Sequence, residues 1–298
     1  MRSRWFLAAL LVLLIASVGL SGSTAEDAVR IAVVTDVHAH DADSPVEGKV
    51  MTNYAERLSA FTAAANAWPA DRLIELGDLV NGAFVMGGAP GDTTRIAGLL
   101  EEAVALLSAF DGPIDFVAGN HDLYDLSKQE FLAATGTETT YYSMDVGAYH
   151  VVILDAEFED PSEKPYDHVF MRVKCRIPGE ELAWLQADLA ATAKPTIVCV
   201  HQPIDSTFDT LAGGPPIVNH LDVQRVLRES GRVIAVFQGH DHENRYSEID
   251  GIHYITFAAM VDHTVPTPPS WAQITLDPAE RSLVIDGYGL QQSYRLSY

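Results

Sequence analysis

The 298-residue chain is poor in cysteine and in positive charge. Two cysteines, Cys175 and Cys199, cannot hold a small disulfide-framed domain together, and no Cys pair stands at zinc-finger spacing. Cys199 lies in the apolar run 196–200 and Cys175 in a mixed loop. An exported chain would permit a bond between them, while a buried inert thiol beside an unrelated one fits the pattern equally well. Lys and Arg number 19 against 41 Asp and Glu, a net charge of −22. A field of that sign repels polyanions and argues against nucleic acid as a partner. The chain beyond residue 25 has no Gly-x-Ser-x-Gly elbow, which disfavours a serine hydrolase of that type, and no Walker phosphate loop. Internal repeats and dividing linkers are absent too. With 48% hydrophobic and 20% charged residues, nothing points to disorder.

Hydrophobic residues are first concentrated at the N-terminus. Arg2 and Arg4 precede an apolar run from Trp5 to Ile15, continued to Leu20, and small residues Ser23 and Ala25 follow. This is the pattern of a secretory signal peptide over residues 1–25, which leaves 26–298 as the folded domain, periplasmic or secreted, with no stable membrane span once the signal is cleaved. The run is nearly long enough to cross a bilayer, so a retained anchor is the alternative. No Cys follows Leu20-Ser21-Gly22, which argues against a lipoprotein. Without Arg2 and Arg4, 17 of the 19 basic residues face all 41 acidic ones, a charge of −24.

Beyond this segment, short apolar runs alternate with helical patterns. Strands are expected at 29–35, 73–76, 114–118, 196–200 and 233–237, and helices at 49–68, 93–110, 179–192 and 219–229. Residues 141–144 and 150–154 read as a hairpin about Gly147. Residues 252–257, 271–276 and 282–285 read as antiparallel strands. The pattern implies a layered α/β domain with a mixed sheet region. The Gly- and Pro-rich stretches 82–91, 213–216 and 265–269 are expected to line a site.

Five polar clusters share one address, at or just past the C-terminal end of an expected strand, where open α/β sheets place ligands. They are Asp36-Val37-His38, Gly77-Asp78-Leu79-Val80-Asn81, Gly119-Asn120-His121-Asp122, His201 and Gly239-His240-Asp241-His242. Period-two geometry would put Asp36 and His38 on one face, and likewise His240 and His242. Gly239 would let the chain turn freely. Asp36, His38, Asp78, Asn120, His201, His240 and His242 form a mixed oxygen and nitrogen donor set suited to Mn, Fe or Zn and not to Ca or Mg. Seven side chains are too many for one ion and suit two ions about 3.5–4 Å apart that share a carboxylate.

The ordered signature Asp-x-His, Gly-Asp, Gly-Asn-His-Asp/Glu, His and Gly-His-x-His resembles that of the calcineurin-like metallophosphoesterases, and every block is present in order from Asp36 to His242. The resemblance implies a four-layer αββα sandwich, two mixed β-sheets flanked by helices, with the metals at one edge. It implies that Asp36, His38 and His242 hold one divalent or trivalent ion, that Asn120, His201 and His240 hold the other, and that Asp78 bridges both. The flanks, such as Gly119-Asn120-His121-Asp122-Leu123-Tyr124, Glu181-Leu182-Ala183-Trp184-Leu185 and His201-Gln202-Pro203-Ile204, are similar to the manganese-dependent ADP-ribose/CDP-alcohol diphosphatase branch. That branch usually has Glu where this chain has Asp122. The substrate would then be a small-molecule phosphate ester or a nucleotide diphosphate. A phosphomonoesterase, a cyclic-nucleotide or other phosphodiesterase, and a non-enzymatic metal-binding scaffold remain as alternatives.

Two divalent ions with Asp36 and Asp78 leave the site near +2, so an anionic phosphate can bind an acidic protein whose distant charge is screened beyond ~8 Å. Such ions acidify coordinated water from about 15.7 towards ~7 and offset charge on phosphoryl oxygens. The leaving group then needs a proton or a cation. His121, beside Asn120 and not required as a ligand, is the candidate acid, and its role would extend to substrate binding with Asn120 and Asn81. Either Asn81 or Asp122 could orient it. His40 is expected in a solvated loop, and His150, His168, His220, His253 and His263 are expected to be structural or superficial. The stretch 156–178, with Phe158, Tyr166 and Arg172, reads as a surface loop able to clamp a base or a phosphate.

Overall fold

A computed structural model describes residues 28–44, 48–82, 93–168, 174–205, 217–263 and 268–298. The expected signal segment lies outside these residues. So do Arg172 and nearly all of the three Gly- and Pro-rich loops, of which only Gly82, Pro268 and Pro269 are described. Among the described residues no helix is long and apolar enough to cross a membrane.

Strands numbered along the chain form two six-stranded sheets. The first, in spatial order, is β14 (Tyr294–Ser297), β13 (Ser282–Tyr288), β12 (Trp271–Asp277), β1 (Val29–Val34), β3 (Arg72–Glu75) and β4 (Ile114–Phe116). Its β1, β3 and β4 run parallel, and the rest is an antiparallel meander joined through the β1–β12 pair. The second is β5 (Tyr142–Val146), β6 (Tyr149–Ile153), β7 (Thr196–Cys199), β8 (Val233–Gln238), β10 (Ile252–Thr256) and β9 (Arg245–Ile249), parallel from β6 to β10 with antiparallel edges. A two-stranded ribbon pairs β2 (Lys49–Val50) with β11 (Asp262–His263).

The central strands are apolar on both faces because both faces are covered. Ile31 and Val33, Val151 and Ile153, Ile197 and Cys199, and Ala235 and Phe237 point into the space between the sheets. Their neighbours Ala32, Val34, Val152, Val198 and Val236 face the helices. Helix α1 (Tyr54–Ala67) packs Phe61 against Trp271 of the first sheet and contacts α2 (Thr93–Leu107). Helix α4 (Gly179–Ala191) reaches the second sheet through Asp188, which bonds Ser143 and His150, and pairs with α5 (His220–Ser230). The result is helices, sheet, sheet, helices, as expected.

Three details differ from the sequence reading. Residues 49–68 are not one helix: Lys49 and Val50 pair with β11, and α1 begins at Tyr54. Residues 252–256 join β8 and β9 of the second sheet and do not extend the β12–β13 meander, because the chain crosses between sheets through 258–261. Helix α3 (Lys128–Thr135) was missed, although Ser127 and Glu130 form a capping box and Gly136 ends it in the left-handed region. The two cysteines are free and lie in different cores, Cys175 under the helices and Cys199 between the sheets.

Phe237, fully buried, meets Phe257 edge-on with ring centroids 5.4 Å apart. Phe237→Ala is expected to lower the unfolding free energy by about 3–5 kcal/mol in urea titrations. A loss below 1 kcal/mol would contradict a tightly packed inter-sheet core.

Candidate metal centre

Both sheets end on the same edge. The first contributes Asp36 and His38 after β1, Asp78 after β3, and Asn120 with His121 after β4; the second contributes His201 after β7, and His240 and His242 after β8. Backbone bonds tie these loops together. Asp36 N donates to Gly77 O, His38 N to Asp78 O, and Gly239 N to His201 O, while Met260 N and Val261 N reach back to Thr35 O and Asp36 O.

The Asp-x-His pairs converge for a reason other than the pleat. Asp36, His38, Asp78, His240 and His242 all lie past their strands with φ between 50° and 72°. Left-handed backbone costs a non-glycine residue about 1–3 kcal/mol and persists only where its surroundings impose it. These kinks, not strand alternation, turn the side chains inward. Gly239 likewise serves close approach more than turning: a Cβ there would lie 2.1 Å from Thr35 Oγ1 and 2.8 Å from Asp36 Oδ2. At Gly119 it would lie 2.2 Å from Asp78 N.

Three sets of side chains each bring their ligand atoms within 4.8 Å of one another: Asp36, His38 and His242; His38, Asp78 and His121; and Asp78, His201 and His240. Asp78 joins the second and third sets. His242 Nε2 lies 3.4 Å from Asp36 Oδ1 and 3.0 Å from His38 Nε2, and His201 Nε2 lies 3.2 Å from Asp78 Oδ2. Donors bound at 2.0–2.1 Å to one ion fall roughly 3.0–3.4 Å apart. Hydrogen bonding decides what occupies those gaps. His201 Nδ1 donates to Leu76 O at 2.8 Å, so in the neutral ring it is Nε2 that presents its lone pair towards a carboxylate. His38 Nδ1 bonds Asn81 Oδ1 at 2.9 Å, which turns its bare Nε2 inward. Asp36 Oδ1, His121 Nδ1, His201 Nε2 and His240 Nε2 are buried without hydrogen-bond partners. Acceptors crowded together in this way require cations between them, and the residues fit a pair of metal ions.

The charges agree. Burial, then the Lys49 ammonium, lower His38 to about 4, and burial, then the His201 charge, lower His240 to about 3, so both rings hold the neutral form that ligates metal. Burial and Lys49 also hold His121 well below the ordinary imidazole range. Burial would raise Asp36, but the neighbouring His242 and His38 rings hold it well below the carboxylate range. His201 is the exception: burial opposes its charging, yet the Asp78 carboxylate beside it holds it well above the imidazole range, so that without a metal ion a proton on Nε2 fills the gap to Asp78.

Several neighbours do other work than the sequence suggested. Asn81 is fully buried and engaged with His38, so it orients that ring. Asp122 does not touch His121: its two oxygens accept from the backbone N–H groups of Asp78, Val80 and Gly119 and clamp two loops together. His121 is held by its own N–H, which donates to Asp78 Oδ1 at 2.7 Å, and its ring stands 4.5 Å from that of His38. Asn120 Nδ2 donates to the Tyr124 hydroxyl, and its Oδ1 accepts from Gln202 at 3.4 Å. His40 is buried against the Ala42 backbone and not solvated, and Tyr166 is a core residue, not part of a surface clamp.

Sequence reading missed Glu75, which accepts from Gly77 N, Thr35, which donates to Asp36, and Glu157, whose carboxylate accepts from Gln202. No local motif marks Glu157; only the fold brings residue 157 next to residue 202.

The comparison with known families now has geometry to meet. The calcineurin-like phosphoesterase model matches residues 29–244. The chain belongs to that family. Members similar to it include the manganese-dependent ADP-ribose/CDP-alcohol diphosphatase of Oryza sativa subsp. japonica, 24% identical over 89% of this chain and 93% of the relative. A Synechococcus protein named "Probable cyclic nucleotide phosphodiesterase" is 24% identical over 84% of this chain and 88% of its own. The fold is shared with a dimetal phosphatase from Danio rerio at a TM-score of 0.73 and 19% identity, covering 91% of this chain and 99% of the other. This calcineurin-like phosphoesterase is therefore a metal-dependent phosphoesterase, with its donor set on the edge where both sheets end.

Burial raises the Glu157 carboxyl from 4.5 to about 8. A group raised in the folded state stabilises it fully below about 4.5, and that contribution is lost as pH rises through about 8. In chelator-stripped protein, Tm is expected to fall as pH increases across this window. Glu157→Gln should shallow the decline by at least about 2 °C. An identical Tm profile in the variant would contradict the raised carboxyl.

Proposed function

We propose that this enzyme hydrolyses nucleotide diphosphates such as ADP-ribose and CDP-alcohols. In this reading Asp36, His38 and His242 hold one ion, Asn120, His201 and His240 hold the other, and Asp78 is shared. The observation that carries the dinuclear arrangement is Asp78, common to two donor sets and facing the bare Nε2 of His201. The diphosphate substrate and manganese are supported by the name of the rice relative. The Synechococcus relative favours a second reading, a cyclic nucleotide phosphodiesterase on the same residues.

When bound, the ions supply a nucleophile from water at neutral pH and positive charge for the phosphoryl oxygens. The chain's own residues do the rest. Asn81 and the Leu76 carbonyl fix the tautomers of His38 and His201. Asp122 sets the distance between the Asp78 and Gly119 loops. His121, whose backbone N–H is anchored on Asp78 and whose ring is partly open to solvent, is the group we assign to the leaving oxygen, its ring becoming basic enough to carry and pass the proton once an anionic phosphate lies against it. Export remains part of the proposal on the strength of residues 1–25. A secreted product beginning at Glu26 in mass spectrometry is expected, and an intact Met1 form would overturn it.

With manganese, ADP-ribose and CDP-choline are expected to be cleaved with a kcat/KM at least about tenfold above that for cyclic AMP or a mono-aryl phosphate. Cleavage of the mono-aryl ester alone would reject the diphosphatase, and preference for cyclic AMP would favour the second reading. His121→Ala should retain both ions and lose roughly 10²–10⁴ in kcat. Asp78→Asn should lose both metal affinity and turnover, and near-normal turnover in that variant would reject the shared carboxylate.

A further inference from the structure

Two buried polar side chains beside the centre lie outside the donor set. Glu157 follows β6 and Gln202 follows β7, directly after His201, and both are almost wholly buried. The backbone of Glu157 is held on both sides: its N–H donates to Asp155 Oδ1 at 2.9 Å, and its carbonyl accepts from Tyr166 N at 2.9 Å. Its carboxyl accepts from Gln202 Nε2, and the same nitrogen reaches Asn120 Oδ1 at 3.4 Å. Asn120 Nδ2 in turn donates to the Tyr124 hydroxyl at 2.9 Å. Among the described residues Gln202 Oε1 has no hydrogen-bond partner. The amide of Gln202 therefore leaves its oxygen unmatched while its nitrogen serves two acceptors.

These bonds pass a polarity from one side chain to the next. An amide ends in one acceptor and one donor, and of the two only the oxygen can hold a metal ion. A carboxylate accepts at both oxygens, and a protonated carboxyl keeps one oxygen that accepts, so Glu157 draws the nitrogen end of Gln202 towards it. That nitrogen carries two hydrogens. One is committed to Glu157, and the other can be met only by an acceptor. The Asn120 oxygen is thereby fixed on the side of the loop that carries His201, and the Asn120 nitrogen is left to Tyr124. With Gln202 turned over, its oxygen would face Asn120 and draw the Asn120 nitrogen inward instead. Groups that orient a metal ligand in this way are typically worth about 10- to 100-fold in metal affinity.

We propose that Glu157 and Gln202 are positioning residues for one ion of the pair, turning the Asn120 oxygen towards the metal that Asn120 would hold with His201 and His240. The assignment rests on the dinuclear reading above. The test titrates manganese into metal-free full-length protein by calorimetry. The parent should bind two ions. Glu157→Leu and Gln202→Leu should each weaken one ion roughly 10- to 100-fold and leave the other within about twofold. Glu157→Gln, which keeps an accepting oxygen, should stay within about twofold of the parent at both. Asn120→Asp presents an oxygen whichever way its side chain turns, so adding Glu157→Leu to that variant should cost less than about twofold, whereas a merely structural loss would persist there in full. Unchanged affinity for both ions in Glu157→Leu, equal weakening of both, or a full loss in the Asn120→Asp background would overturn the assignment. A parent that binds one ion or none would instead reject the dinuclear reading, and this assignment with it. Should Glu157→Leu fail to fold, Gln202→Leu takes its place in both backgrounds, with the same criteria.

Discussion

A bare imidazole nitrogen and a carboxylate oxygen held 3.2 Å apart in a dry interior repel each other unless a proton or a metal ion lies between them. His201 and Asp78 are in that position, because the other nitrogen of His201 is committed to the Leu76 carbonyl. The same frustration recurs at Asp36 Oδ1 and His240 Nε2. An unpaired buried polar group costs on the order of 1–3 kcal/mol, and several in one place are tolerable only if an ion satisfies them together. Metal binding and stability of this edge are therefore one property.

The rest of the architecture can be understood as the means of enforcing that crowding. Neither sheet could do it alone, since the first supplies mostly oxygen donors and the second only histidines. Stacking the sheets with their strand ends aligned brings the two sets together. Five left-handed residues turn the side chains inward, and backbone bonds between loops of different sheets hold them there. Asp122, buried and accepting from three backbone N–H groups, binds the β3 and β4 loops into one unit. The shorter Asp, where the diphosphatase branch resembled by the sequence usually has Glu, reaches all three.

The acidic surface and the phosphate chemistry are compatible because their fields act on different scales. Surface charge is screened within about a Debye length, whereas ions held by these buried donors would act at contact distance in a poorly polarisable interior.

Sequence alone determined the class of chemistry and the layered fold. Asp36, His38, Asp78, Asn120, His201, His240 and His242 were legible because each stands in a short motif just past an apolar strand, and the short apolar runs alternating with helical patterns marked the layered α/β fold. Only the tertiary structure decided how those residues meet. The inward turn of the Asp-x-His pairs comes from left-handed backbone that no local periodicity encodes, and strand 252–256 reads like its neighbours yet belongs to the other sheet. Asn81, Asp122 and Glu157 take their roles from partners dozens of residues away. Local pattern reports propensity and burial; which distant groups become neighbours is set by how the two sheets stack, and that is a property of the whole chain.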